Sequence, residues 1–297
     1  MLFPESVVSN CLGLVHGRFQ ALPNEMKRLG KPRGARGLGC RLSPPRKPVL
    51  PRNGVMGCLA SASLGIPMEW EDFAMATTLE KGISREVEIP AAGFCMRASL
   101  EQPMPGRGMI VFANGFGSRR FHESNRIVAD ALESVDFATL MVDLLAPEEE
   151  EDPQIIFDTS LPARRLGNVI RWLKRSKEYQ DWPIGVFSSG TGTAAILEIA
   201  ACMPEFIDAV VARGGRPDLA ETWLPMVEAP TELIVGSEDH HILQVNQRAI
   251  GHLKCSCQLV EVPGASHLFP ETGAMETVAS LAKAWFERNI PPARGWV

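Results

Sequence analysis

A chain of 297 residues, 45% hydrophobic and 22% charged, has enough apolar material for a sizeable core and the make-up of an ordinary globular protein. The formal net charge of −5 is unevenly spread. Residues 1–55 hold ten Lys/Arg and two acids, +8, which leaves −13 on the rest and argues against a nucleic-acid-binding globular domain. No uninterrupted apolar run approaches the ~18 residues of a membrane helix. The seven cysteines lack a metal-binding spacing, so reduced thiols in a cytosol-like compartment are expected.

Residues 1–74 are rich in Arg, Gly and Pro, as in Lys31-Pro-Arg-Gly-Ala-Arg-Gly-Leu-Gly39 and Ser43-Pro-Pro-Arg-Lys-Pro48. They show no sustained period of 2 or 3.6 and cannot bury enough apolar surface to offset the entropy of ordering them. Three readings stand: a disordered basic arm, an organelle-targeting segment, or upstream sequence from a start assigned too early, with Met56, Met68 and Met75 as later starts. The expected location is cytoplasmic, or an organelle if the segment is a transit peptide.

From residue 83 to about 290 strands alternate with helices. Arg85–Ile89 and Phe94–Leu100 suit an antiparallel pair around Pro90-Ala-Ala-Gly93, and Met109–Ala113 is a short buried strand ending in Asn-Gly. A helix follows with Ile127, Val128, Ala131, Leu132 and Val135 on one face. Phe137–Val142 is the next strand, ending at Asp143, and Glu148–Asp152 reads as a solvated acidic loop. Leu166, Val169, Ile170 and Leu173 mark another helix.

Ile184–Phe187 is a strand leading into a glycine turn and a helix from Thr191 to Ala201. Asp208–Ala212, Thr231–Val235 and Gln258–Val262 are further strands, Ile242–Leu253 is helical, and Met275 to Phe286 lie on a final helix ahead of a tail at 291–297. This alternation predicts an α/β fold: a mostly parallel, doubly wound sheet with helices on both faces. Ligands in such sheets bind beyond the carboxyl ends of the strands.

The glycine turn, Ser188-Ser-Gly-Thr-Gly192, has the layout of a nucleophile elbow, which demands small residues two before and two after its tip. Centring on Gly190 puts Ser188 and Gly192 at those positions. Centring on Ser189 puts the bulkier Phe187 and Thr191 there, and centring on Ser188 moves the bend into the strand. Gly190 is therefore the tip. Two later strand ends supply a carboxylate, Asp239, and an imidazole, His267, in the chain order of an α/β-hydrolase triad. In such a triad the carboxylate sets the imidazole's tautomer and the imidazole takes the nucleophile's proton. Taken singly, Asp239 equally suits a helix cap and His267 a packing residue. Backbone amides of Thr191 and of Phe116, in the loop Asn114-Gly-Phe-Gly117, are the candidate oxyanion hole.

At these residues the chain resembles the dienelactone-hydrolase-like branch of the α/β-hydrolases. The resemblance runs from about Arg85 to Asn289. Besides the elbow it rests on Asn114-Gly-Phe-Gly-Ser118, Val142-Asp-Leu-Leu-Ala-Pro-Glu-Glu149, Arg213-Gly-Gly-Arg-Pro-Asp-Leu219 and Val262-Pro-Gly-Ala-Ser-His-Leu-Phe269. It implies ester or lactone hydrolysis by a Ser or Cys at the elbow, with no metal and no organic cofactor. Two departures stand out: the usual His-Gly of the first loop is Asn114-Gly115, and a Gly-x-Ser-x-Gly-type elbow has become Ser-Ser-Gly-Thr-Gly.

Glycine carries no attacking atom, so an acyl-enzyme cannot form at position 190, and activity is expected to be lost or much reduced. Ser189 is the substitute if the turn is distorted, and His267 with Asp239 activating water is another route. The alternative is a non-catalytic binding or scaffolding protein that keeps the pocket. Asn114, Arg213 and Arg216 are candidate contacts for a small ester, a lactone or an anionic ligand; Arg216 equally suits a surface ion pair with Asp218. Too few residues separate Asp143 from Pro183 for a large cap domain. Neither a nucleic-acid nor a membrane partner is expected.

Overall fold

A computed structural model describes residues 82–91, 94–114, 122–150 and 158–293. The basic segment 1–74 and residues 294–297 of the tail lie outside the described residues. In chain order the elements are β1 (Ile83–Ala91), β2 (Phe94–Gln102), β3 (Gly108–Asn114), α1 (Glu123–Glu133), β4 (Phe137–Asp143) and the single turn α2 (Pro147–Glu150). There follow α3 (Ser160–Arg175), β5 (Ile184–Ser189), α4 (Gly192–Cys202), β6 (Ala209–Arg213), β7 (Thr231–Gly236), α5 (His240–His252), β8 (Cys257–Val262) and α6 (Ala274–Asn289).

The eight described strands form one sheet in the order β1-β2-β4-β3-β5-β6-β7-β8. β1 pairs with β2 and β2 with β4 antiparallel, while the pairs from β4 through β8 are parallel. The sheet is mostly parallel, as expected, and carries an antiparallel hairpin at one edge.

Alternation along the strands divides the core in two. Met109 and Val111 of β3 and Ile184 and Val186 of β5 join α3 and α4 on one face. Ile110 and Phe112 of β3 and Phe187 of β5 join α1 and α6 on the other. Each fully buried side chain of this size contributes roughly 1.5–3 kcal/mol relative to exposure. Gly185 of β5 leaves the room that Ile110, Phe286 and Ile290 occupy, since a Cβ there would stand 2.7 Å from all three. Helices on both faces of a mostly parallel sheet make a doubly wound α/β architecture.

Several local expectations change. The buried residues of α1 are Ser124, Asn125, Val128, Ala129 and Leu132, whereas Ile127, Ala131 and Val135 only flank the core. The acidic stretch is not wholly solvated: Pro147–Glu150 forms a helical turn, and Glu149 pairs with the buried Arg165, which also donates to the Leu144 carbonyl at 2.8 Å. That pairing holds the Glu149 carboxyl below its ordinary range. The end of the fold reaches past Asn289, because Ala293 is buried and its N–H donates to the Arg107 carbonyl at 2.6 Å. Cys255 and Cys257 are free thiols, but Cys95 and Cys202 each take part in a disulfide, which corrects the expectation of reduced thiols throughout.

Candidate active site

Three parallel strands deliver the candidate groups at their carboxyl ends. β5 runs through Ser189, and Gly190 follows with φ +57° in the left-handed region. A serine there would carry a backbone strain that glycine avoids. The Gly190 N–H donates to the Arg213 carbonyl at 3.4 Å, and its own carbonyl accepts from Thr193 N at 3.3 Å and Arg216 N at 3.2 Å. The turn is thus fixed from both sides. Apart from its chain neighbours, no described residue places a heavy atom within 4 Å of the position a Cβ at residue 190 would take.

The neighbouring serines are packed into the fold. Ser188 is fully buried, and its Oγ is 3.2 Å from Thr193 Oγ1. Ser189 is 7% exposed and pairs in the ladder with Asn114 and Arg213. Thr191 leads into α4 with helical backbone angles, so its amide belongs to the first turn, where N–H groups have no intrahelical acceptor. Asn114 ends β3 between Ser189 and Asp143. Phe116 lies outside the described residues.

Asp239 and His267, 28 positions apart in sequence, meet: His267 Nδ1 lies 2.5 Å from Asp239 Oδ2. Donation from Nδ1 leaves Nε2 as the imidazole's base. The Asp239 side chain is 13% exposed and the imidazole 52%, so the acid is shielded while the base reaches solvent. Asp239 also caps α5, its Oδ1 accepting from Ile242 N at 3.4 Å. The cap that the sequence suggested is thus present, alongside the contact with His267.

The two loops are laced together. Glu238 N donates to Ala265 O at 3.0 Å, and Gly264 N to Ser237 Oγ at 2.8 Å. Gly236 has to be glycine, since a Cβ would stand 2.2 Å from the Ala265 carbonyl oxygen. His267 and Leu268 form the corner of a turn closed by Phe269 N donating to Ser266 O at 3.1 Å.

The two arginines part ways. Arg216 grips Asp218 with Nε–Oδ1 and Nη2–Oδ2 distances of 2.8 and 2.7 Å, the surface ion pair that the sequence held open. Arg213 is 7% exposed, with its guanidinium 5.7 Å from the Phe269 ring centroid and Nη1 donating to Met275 Sδ at 3.0 Å. It lies under the His267 turn, with little surface left to meet a substrate. Burial pulls its pKa down to about 10.

A hollow of about 460 Å³, lined in part by Ser84, Glu86, Ser99, Glu101 and Arg126, sits at the β1–β2 edge. Among the described residues, no candidate is part of its lining. Among the described residues no cluster of His, Cys, Asp or Glu is placed to hold a metal, and no helix is long and apolar enough to cross a membrane.

Comparisons with known proteins bear on the fold. No family model matches the chain. Est1E from Butyrivibrio proteoclasticus superposes with a TM-score of 0.60 at 14% identity, over 69% of this chain and 98% of its own, a likeness of fold. The crystal structure of a dienelactone hydrolase from Anabaena variabilis is 40% identical with a TM-score of 0.68, over 71% of this chain and 99% of its own. The fold is that of an α/β-hydrolase, and the chain belongs to the dienelactone-hydrolase-like family within it. Two proteins of Mycobacterium tuberculosis strains, each provisionally named a phosphoribosyl transferase, are 44% identical over 220 residues, 72% of this chain and 50% of theirs. The chain thus spans about half the length of these curated relatives.

Proposed function

We propose that the site is a carboxylic-ester or lactone hydrolase centre whose covalent route is closed. Asp239 and His267 form the orienting acid and the base, and Thr191 N–H with Phe116 N–H would serve a developing oxyanion. Gly190 holds the nucleophile's place without a nucleophile. The observation that carries the reading is Gly190 at φ +57° on the elbow, in a fold where Asp239 and His267 are joined at 2.5 Å. Removing the serine from such a site in subtilisin costs about 2 × 10⁶ in turnover, leaving ~10³–10⁴ over water. Ester turnover by this protein is accordingly lost or much reduced. Ser188 and Ser189 are poor substitutes, being buried in strand β5 behind the tip.

The test is p-nitrophenyl acetate hydrolysis by the protein as it stands and by Gly190→Ser. The expected result is activity in the variant alone. Turnover at ordinary enzyme rates by the unaltered protein, abolished by His267→Ala, would overturn the proposal.

A second reading, a binding protein that holds a small acyl or anionic ligand above the turn, is supported by the lack of described atoms, chain neighbours aside, within 4 Å of the Gly190 Cβ position. Thermal-shift titration with small carboxylates and esters separates the two. Stabilisation without turnover supports binding, and turnover supports the enzyme.

A further inference from the structure

The Arg213-Gly-Gly-Arg216 loop touches both halves of the site. On the elbow side, Arg213 O accepts from Gly190 N and Arg216 N donates to Gly190 O. Gly215 clears Thr193, whose Oγ1 would stand 2.2 Å from a Cβ at 215. On the histidine side, Gly214, itself at φ +54°, lies against the turn: a Cβ there would stand 3.3 Å from His267 O and 3.6 Å from Phe269 Cε2.

Phe269 is the costly member of that turn. It is a buried aromatic residue at φ +55°, a conformation that disfavours side chains and persists only where the surroundings over-determine it. The surroundings are the Arg213 guanidinium beside its ring and, through that guanidinium, Met275 at the start of α6. Arg213 stacks where a desolvated cation and an aromatic face attract. Its charge meets a ring and a thioether here, with no carboxylate among its described partners.

We infer that Arg213 is a positioning residue: by holding Phe269 in the left-handed conformation it sets the turn that presents His267 to Asp239. The inference deepens the function proposed above and rests on it only in taking His267 as the site's base. It also gives Arg213 a role different from substrate contact.

The test uses Arg213→Met, Arg213→Lys and Phe269→Ala in the full chain. The first readout is the low-field NMR resonance of the His267 imidazole N–H hydrogen-bonded to Asp239, which needs no turnover. Arg213→Met and Phe269→Ala should lose or broaden it, and Arg213→Lys should restore it. In the Gly190→Ser background, Arg213→Met should lower kcat at least tenfold with KM within about twofold, the pattern of a lost transition-state interaction. An unchanged resonance in folded Arg213→Met and Phe269→Ala overturns the inference. If Arg213→Met fails to fold, Phe269→Ala and Arg213→Lys still decide it. An inactive Gly190→Ser protein with a normal resonance would instead count against the proposed function and leave the positioning role standing.

Discussion

Around Asp239 and His267 the backbone is tied at Ser237, Glu238, Gly264 and Phe269, and the imidazole ends against a shielded carboxylate. Around Gly190 the backbone is held as carefully, by Arg213, Thr193 and Arg216, yet the residue so held has no side chain. The contrast shows that the elbow's geometry and its chemistry are separable. The turn is kept by strand, helix and loop contacts that never involve the side chain at 190. Glycine occupies its left-handed angles more cheaply than any residue with a side chain could, so the scaffold does not depend on a side chain at 190.

Refilling the elbow is the largest lever on that contrast. Gly190→Ser should raise p-nitrophenyl acetate turnover by several orders of magnitude, the reverse of the ~10⁶ lost when such a serine is removed. It should also cost about 1–3 kcal/mol of stability, read by denaturant unfolding, because serine must then adopt a positive φ. Breaking the other half comes next. In the refilled protein Asp239→Asn should lower kcat about 10⁴-fold, since the imidazole loses its tautomer control. The helix cap survives this change, asparagine capping about as well as aspartate, so circular dichroism should be unaltered.

Smaller effects sharpen the comparison from the scaffold side. Gly215→Ala drives a methyl to 2.2 Å from Thr193 Oγ1 and should destabilise the fold by about 1–3 kcal/mol, the usual cost of overpacking. The same replacement at Gly251, inside α5 where a Cβ meets no described atom within 4 Å, should instead stabilise by up to about 1 kcal/mol through helix propensity. Least of all, Asp218→Asn should cost no more than about 1 kcal/mol, because the Arg216 pair is partly exposed. Arg216 holds the Asp218 carboxyl below its usual range, so the pair's contribution is present above the unfolded value of about 3.9 and is lost as pH falls through the lower folded value. Melting temperatures of wild type and Asp218→Asn should therefore converge at acid pH.

Much of this was legible in the chain. The alternating strands and helices, the glycine at the elbow and the order of Asp239 before His267 all follow from local signals: period, small-residue spacing and placement after buried strands. Arg216 and Asp218 lie two residues apart, and their pairing was one of two open readings. The support under His267 was not legible, because Phe269 and Met275 carry no pattern distinguishing them from other apolar core residues. The left-handed angle of Phe269 violates the ordinary preference of an aromatic residue, so propensity would point away from it.

What the linear order of residues determined was the class of fold and the place of the glycine turn after β5. Each depends on near neighbours or on a repeating apolar pattern. The tertiary structure alone decided that Asp239 and His267 meet at 2.5 Å, that Arg216 is taken by Asp218, and that Arg213 turns beneath the histidine loop. Those outcomes depend on which strand ends the parallel sheet sets side by side, and on burial that only the packed helices create.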